Sequence, residues 1–252
     1  MPFDLAAVRS ALPSRDIRWH GSIGSTMHAA SHLAEIGAPS GTVVGADEQT
    51  AGQGRFGRHW HSEPETGLYF SVILRFPFAA SDTPLVTLAL GLAAREAILD
   101  ATGIVCDLRW PNDLLIADRK CAGILTQMES GAVVAGIGIN VNQAELPPDI
   151  EAIATSLRLA SCHAHSREQL LIRLLPAIDE WCGLLAHEGR TPILTVFAKS
   201  SSYVAGRRVA VEISEDEFIT GTTAGLTADG FLKVRDDRDK EHTIVAGGVR
   251  PA

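Results

Sequence analysis

Residues 132–142, "AVVAGIGINVN", are apolar or glycine at almost every position and carry no charge. Such a stretch cannot keep one face in water. It predicts a strand buried on both faces, inside a sheet with helices packed against it. The neighbouring segments supply both kinds of element. Runs at 42–47 and 67–76 ("GLYFSVILRF") predict further strands, with a shorter one near Ile17–His20. A helix is expected over about Asp4–Leu12. Another follows Ser25, a good N-cap, with Ala29, Ala30, Leu33 and Ile36 on one face and Gly37 as its stop. Longer helices are expected over about Leu85–Ala101 and Arg167–Leu185. The block "DLRW" (107–110), "DLLIA" (113–117), "CAGILTQME" (121–129) reads as hairpins. Strands interleaved with helices but joined partly by hairpins predict a mixed sheet in an α+β fold. From Ser200 the pattern changes. "SSSYVAG" reads as a linker, and Gly206–Ala252 shows short strand runs with turns at "ADG" and "DDRDK", the pattern of a small β-barrel. Two domains are expected, 1–203 and 204–252, which a length of 252 residues accommodates.

Between two of the predicted strands lies "TAGQGRFGRHW" (50–60), whose glycines at 52, 54 and 57 spell G-x-G-x-x-G. A dinucleotide fingerprint needs a helix directly after those glycines and an acidic residue about 20 positions on. Here Pro64 and a strand follow, and Arg75 stands where the acid would be. The Rossmann interpretation fails on context. What remains is a loop with Arg55 and Arg58 and no acid between Glu48 and Glu63, in a chain of net charge −8. A local excess of cations in an acidic protein points to an anionic ligand, whereas the overall charge argues against a general nucleic-acid or anionic-membrane binder.

Three other stretches carry comparable polar or glycine signals. They are "GSTM" (24–27), "RWPND" (109–113) with "DRKCAG" (118–123), and "GIGINVN" (136–142). Each has an ordinary explanation by itself: a helix cap, a turn, a solvated hairpin lysine, close backbone approach in a sheet. Together, the series S-T, Q-T-A-G-x-G-R-x-G-R-x-W, W-P-N-D, K-x-A-G-I-L and G-I-G-I-N resembles the biotin protein ligases in order and separation. The resemblance runs from Trp19 to the C-terminal segment.

That resemblance implies a class II aminoacyl-tRNA-synthetase-like mixed sheet with helices and an SH3-like C-terminal barrel. It implies an enzyme that adenylates biotin with ATP and Mg²⁺ and then biotinylates a lysine of a biotin carboxyl carrier protein. Carried over by position, Lys120, Arg55 and Asp113 are the catalytic candidates. Lys120 would bridge the biotin carboxylate and the α-phosphate. Arg55 would hold the adenylate phosphate, and Asp113 would orient or deprotonate the incoming amine. Ser25, Thr26, Met27, Gln49, Gln53, Gly54, Arg55, Lys120 and Gly123 form the expected biotin site, with Gly123 leaving room for the ring. Arg55, Arg58, Trp60, Asn112, Asp113, Lys120 and Asn140 form the expected nucleotide site, Arg58 and Trp60 beside the adenine and Asn112, Asp113 and Asn140 near the nucleotide or its Mg²⁺. The chemistry suits these residue types, since joining a carboxylate to a polyphosphate needs fixed cations, and the loop can add backbone N–H groups.

Some positions depart from the family pattern. Met27 stands where many members have Asn, Gln53 and Phe56 replace basic residues, and Arg109 replaces a frequent Lys. About fifteen residues precede the first expected strand, so the form without an N-terminal DNA-binding module, and without a DNA partner, is expected. No membrane partner is expected either: the best apolar run ends at Arg95, and the N-terminus lacks a signal-peptide pattern. The four cysteines show no metal-like pairing and are expected to be free buried thiols in a reducing cytoplasm. His28 with His32 lacks the Glu of a zinc helix motif, and His163 with His165 has no acid cluster, so neither pair is expected to bind metal. A homodimer is compatible with the resemblance. The competing function is lipoate or octanoate ligation on a related fold.

Overall fold

Seven strands form one mixed sheet in the computed structural model, which describes residues 2–214 and 217–252. In chain order they are β1 (Ile17–His20), β2 (Val43–Ala46), β3 (Leu68–Leu74), β4 (Asp107–Arg109), β5 (Asp113–Ile116), β6 (Arg119–Glu129) and β7 (Ala132–Ile139). Their spatial order is β1-β2-β3-β7-β6-β5-β4, with β1 parallel to β2 and the other pairs antiparallel. The apolar stretch at 132–142 becomes β7 as far as Ile139, between β3 and β6, and all of its residues except Gly138 are buried. Its two-faced composition has this cause, since no side of an interior strand meets water.

Helices cover both faces. On one lies α2 (Thr26–Glu35), whose Met27, Ala30 and Ala34 pack on Val44, Ile73 and Val134. On the other lies α3 (Thr83–Thr102), buried continuously from Leu85 to Ala94 and closed by left-handed Gly103. An amphipathic helix would expose one side, but α3 sits beneath α5 (Arg167–Glu188) and α6 (Arg190–Lys199), so it is apolar nearly all round. The remaining helices are α1 (Leu5–Ala11) and α4 (Leu157–Ser161). Among the described residues no helix is long and apolar enough to cross a membrane.

The C-terminal segment is a five-stranded antiparallel sheet: β8 (Ala205–Ser214), β9 (Glu217–Leu226), β10 (Leu232–Asp236), β11 (Glu241–Ile244) and β12 (Gly248–Pro251), in the order β11-β10-β9-β8-β12. The strands expected of the small SH3-like barrel are present, and among the described residues no ladder closes them into a full barrel. The four-residue strands β11 and β12 are the two edges of the sheet as described.

The expected linker is not a loose tether. Tyr203 and Val204 are buried, and Val209, Val211, Leu232 and Val234 belong to the same apolar cluster as α3. Trp110 Nε1 donates to Gly230 O at 2.8 Å, and Gly230 packs against Leu85, Leu88 and Leu194. Trp110→Phe keeps an aromatic ring but leaves this buried carbonyl unpaired. We expect a loss of about 1–3 kcal/mol, read from denaturant unfolding.

Candidate active site

A cavity of about 570 Å³ opens above β6 and β7, walled by the glycine loop, the β4–β5 turn, residues 150–154 and β12. Its charged centre follows from strand register. The tight β4–β5 turn sets Arg109 opposite Asp113, and Asp113 in turn lies opposite Gly123 of β6. Lys120, three residues before Gly123, is pinned by its backbone: its N–H donates to Ile153 O and its carbonyl accepts from Thr155 N–H, both at 2.8 Å. Asp113 Oδ1 then lies 2.5 Å from Lys120 Nζ, and Oδ2 accepts from Arg109 Nη2 at 2.7 Å. Burial pushes the Asp113 carboxyl upward, but Lys120 and Arg109 outweigh it and hold the group below the usual carboxylate range. A carboxylate held this way is a poor proton acceptor. In this arrangement Asp113 anchors two cations, Lys120 and Arg109.

The glycine loop is a narrow hairpin. Trp60 N–H donates to Gly52 O at 2.9 Å and Gly54 N–H to Arg58 O at 2.7 Å, while Arg55–Gly57 forms a single 3₁₀ turn. No helix follows, so the exclusion of a dinucleotide fold stands. The expected supply of free loop amides is corrected in part, because Gly54 uses its N–H inside the hairpin.

The loop's cations have different partners. Arg55 Nη1 donates to neutral oxygens, Asn112 Oδ1 at 3.3 Å and Gly247 O at 3.1 Å, and burial lowers its pKa despite nearby Asp113. Arg58 Nη2 reaches both carboxylate oxygens of Glu212 in β8, at 2.8 and 2.9 Å. Arg58 and Trp60, both expected beside the adenine, line the same cavity from different supports. The Trp60 indole lies instead on β6 and β7, where a Cβ at Gly123 or Gly138 would come within 2.9 or 2.6 Å of the ring. The space attributed to Gly123 exists, and the indole lies against it. Trp60 Nε1 is buried there without a hydrogen-bond partner, beside Lys120 Nζ at 5.3 Å from the ring centroid.

Also lining the cavity, Gln49 Oε1 accepts from Thr26 N–H at 2.8 Å and from Thr26 Oγ1 at 3.0 Å. Gln49 thereby serves the N-terminus of α2, where orphan N–H groups need acceptors. Ser71 Oγ donates to Thr26 Oγ1 at 2.9 Å. Met27, Gln53 and Gly54 also line the cavity. Ser25 does not; it is the buried N-cap of α2, accepting from His28 N–H at 3.5 Å. Asn112 Nδ2 donates to Ile124 O and Asn140 Nδ2 to Thr155 O, so both shape the wall through their own backbone surroundings.

The structure adds residues that the sequence patterns do not single out for the site. Arg109 carries a signal, as the i−4 neighbour of Asp113 across a turn. Ile153 and Gly247–Arg250, contributed from distant segments, carry none. Among the described residues no group of three His, Cys, Asp or Glu side chains is placed to hold a metal ion. The cysteines are free, and Cys162 is exposed, not buried as expected.

Residues 20–143 match the biotin/lipoate A/B protein ligase family. The chain is 36% identical over 206 residues to the bifunctional ligase/repressor BirA of Bacillus subtilis, covering 79% of this chain but 62% of that one. It thus spans less than two thirds of that relative's length. It is 30% identical over 245 residues to the biotin–[acetyl-CoA-carboxylase] ligase of Mycobacterium tuberculosis, covering 92% and 89% of the two chains. The fold superposes on a biotin protein ligase from Aquifex aeolicus in complex with biotin and ATP, with a TM-score of 0.82, 29% identity and coverage of 94% and 99%. Agreement in sequence with almost the full length of the mycobacterial enzyme, and in fold with the Aquifex one, makes this chain a member of the biotin protein ligase family.

Proposed function

We propose that this chain is an ATP-dependent biotin–protein ligase. The observation that carries the proposal is one cavity lined both by the cations Lys120 and Arg55 and by Thr26 and Gln49, which are hydrogen-bonded to each other. A neutral ureido ring needs donors and acceptors at the end of an apolar pocket, and its carboxylate needs cations near the polyphosphate. In the first step a biotin carboxylate oxygen attacks the α-phosphorus of ATP, forming the mixed anhydride biotinyl-5′-AMP and releasing pyrophosphate. Lys120 neutralises the two approaching anions, and Arg55 holds the phosphate through its planar fork. In the second, a carrier lysine amine attacks the acyl carbon and AMP leaves with the C–O electron pair. The acceptor class proposed is a biotin carboxyl carrier protein or domain. Residues 1–203 would hold both small substrates, and 204–252 would complete the wall through Gly247–Arg250. The proposed compartment is the cytoplasm, which supplies ATP and keeps the four thiols reduced.

The residues here do not build a protein-held Mg²⁺ site. Both Asp113 oxygens face cations, Asn112 Oδ1 accepts from Arg55, and Asn140 is buried on Thr155. This arrangement is compatible with their expected place near the nucleotide or its Mg²⁺ without direct ligation of the ion. Mg²⁺ would enter as part of the Mg–ATP substrate, held mainly by phosphate oxygens and water.

Pyrophosphate release with biotin, lipoate or octanoate tests the proposal. Release with biotin alone is expected; release with lipoate or octanoate but not biotin would replace it with the related ligase activity. Asp113→Asn refines the site. Removing the carboxylate leaves Lys120 and Arg109 side by side without their anchor. Charge-assisted hydrogen bonds of roughly 1.5–3 kcal/mol imply adenylation slower by about 10- to 150-fold. Unchanged adenylation with impaired transfer would assign Asp113 to the incoming amine instead.

A further inference from the structure

The glycine loop carries two arginines three residues apart, yet the fold treats them differently. Arg55 meets only neutral oxygens among its hydrogen-bond partners, whereas Arg58 is gripped by both oxygens of Glu212. Glu212 Oε2 also accepts from Arg250 Nη2 of β12, at 2.9 Å. Glu212 stands directly opposite Gly248 in the β8–β12 ladder, and a Cβ at Gly248 would lie 3.9 Å from Arg58 Nη1. The Arg58 head therefore lies across this strand pair, next to the carbonyl of Gly247 that Arg55 uses.

We propose that Glu212 is a positioning residue that latches the glycine loop over the cavity and sorts its two cations. By neutralising Arg58 it commits that arginine to the C-terminal sheet, leaving Arg55 as the loop cation available to the adenylate phosphate. This deepens the ligase function proposed above and rests on it. Three features separate the latch from an incidental surface pair. It joins segments 154 residues apart, one guanidinium nitrogen lies within hydrogen-bond reach of both carboxylate oxygens, and it has a third member in Arg250. Isolated exposed pairs contribute little, but charge-assisted hydrogen bonds joined in a network contribute more. Arg58 and Arg250 are half exposed, at 50% and 59%, so the effect is moderate. The latch acts on how long the loop stays closed and thus on retention of the acyl-adenylate, with little effect on its formation.

The test compares wild type, Glu212→Gln, Arg58→Glu and the swap Arg58→Glu/Glu212→Arg in the full chain, each checked for an intact thermal transition. Two quantities are read: the initial rate of biotin-dependent pyrophosphate release, and the biotinylation of bystander protein amines per adenylate made. Glu212→Gln is expected to raise bystander labelling about three- to tenfold while the release rate stays within about twofold. The swap should return labelling part of the way to the wild-type level, because the opposed charges meet again although the arginine introduced at 212 also faces Arg250. Retention equal to wild type in Glu212→Gln overturns the latch. So does a swap that leaks as badly as Arg58→Glu alone, which would mean that Arg58 touches the nucleotide. A wild-type protein that releases no pyrophosphate with biotin would instead refute the ligase function itself, a separate outcome.

Discussion

Lys120→Ala is expected to abolish biotin-dependent pyrophosphate release in a protein that still folds. Adenylation drives a carboxylate against a polyphosphate, and the transition state concentrates negative charge between them. Lys120 Nζ is the ammonium at the cavity centre, anchored on Asp113 and beside the Trp60 ring. Removing a single preorganised group that stabilises developing charge costs about 10²–10³-fold in rate. Here the same group would face both anions, so the loss should lie at or beyond the upper end. The fold survives because the structural work of this position belongs to its backbone. The hydrogen bonds to Ile153 and Thr155 use main-chain N–H and carbonyl groups, and Asp113 keeps Arg109 as a partner. Near-wild-type release from a folded mutant would remove Lys120 from the chemistry.

Arg55→Gly should have the second largest effect, on retention of the intermediate. The side chain gives up hydrogen bonds to Asn112 and Gly247, both neutral acceptors, so stability should change little. The partly desolvated guanidinium is also the loop cation that, among the described residues, has only neutral hydrogen-bond acceptors, and a bound phosphate would be its natural counter-ion. Losing a charge-assisted hydrogen bond of roughly 1.5–3 kcal/mol implies escape faster by about 10- to 150-fold. Biotinyl-adenylate acylates exposed amines without regard to sequence, so an unrelated lysine-rich protein in the mixture should become labelled, as streptavidin would detect. Adenylation should continue at a reduced rate because Lys120 remains. Labelling no greater than wild type, in a mutant that still makes adenylate, would show that Arg55 does not hold the intermediate.

How much of this molecule is legible in its sequence depends on how local the causes are. The two-sided burial of β7 is legible because its cause is composition along one strand. The Arg109–Asp113–Lys120 centre lies on two successive tight turns, so its proximity is nearly contained in its spacing. Gly123 points correctly to space above the sheet, but not to the Trp60 indole that lies there, because nothing in a loop sequence fixes where an aromatic ring will settle. The family pattern makes Arg58 a nucleotide contact, whereas its bond to Glu212 depends on a sheet that begins only at Ala205. The open C-terminal sheet has a related cause: short edge strands advertise themselves as strands, while the pairing that would join β11 to β12 is not encoded locally. Ser25 shows the converse, since the ordinary explanation as a helix cap describes its observed contact completely.

If this cavity activates biotin and hands it to a carrier, the product itself is the most direct witness. The measurement is mass spectrometry of a biotin carboxyl carrier domain incubated with the full chain, ATP and biotin. One added biotinyl group is expected, on a single lysine, formed only when ATP and biotin are both present and absent with Lys120→Ala. An unmodified carrier domain, or equal modification by the Lys120→Ala protein, would contradict it.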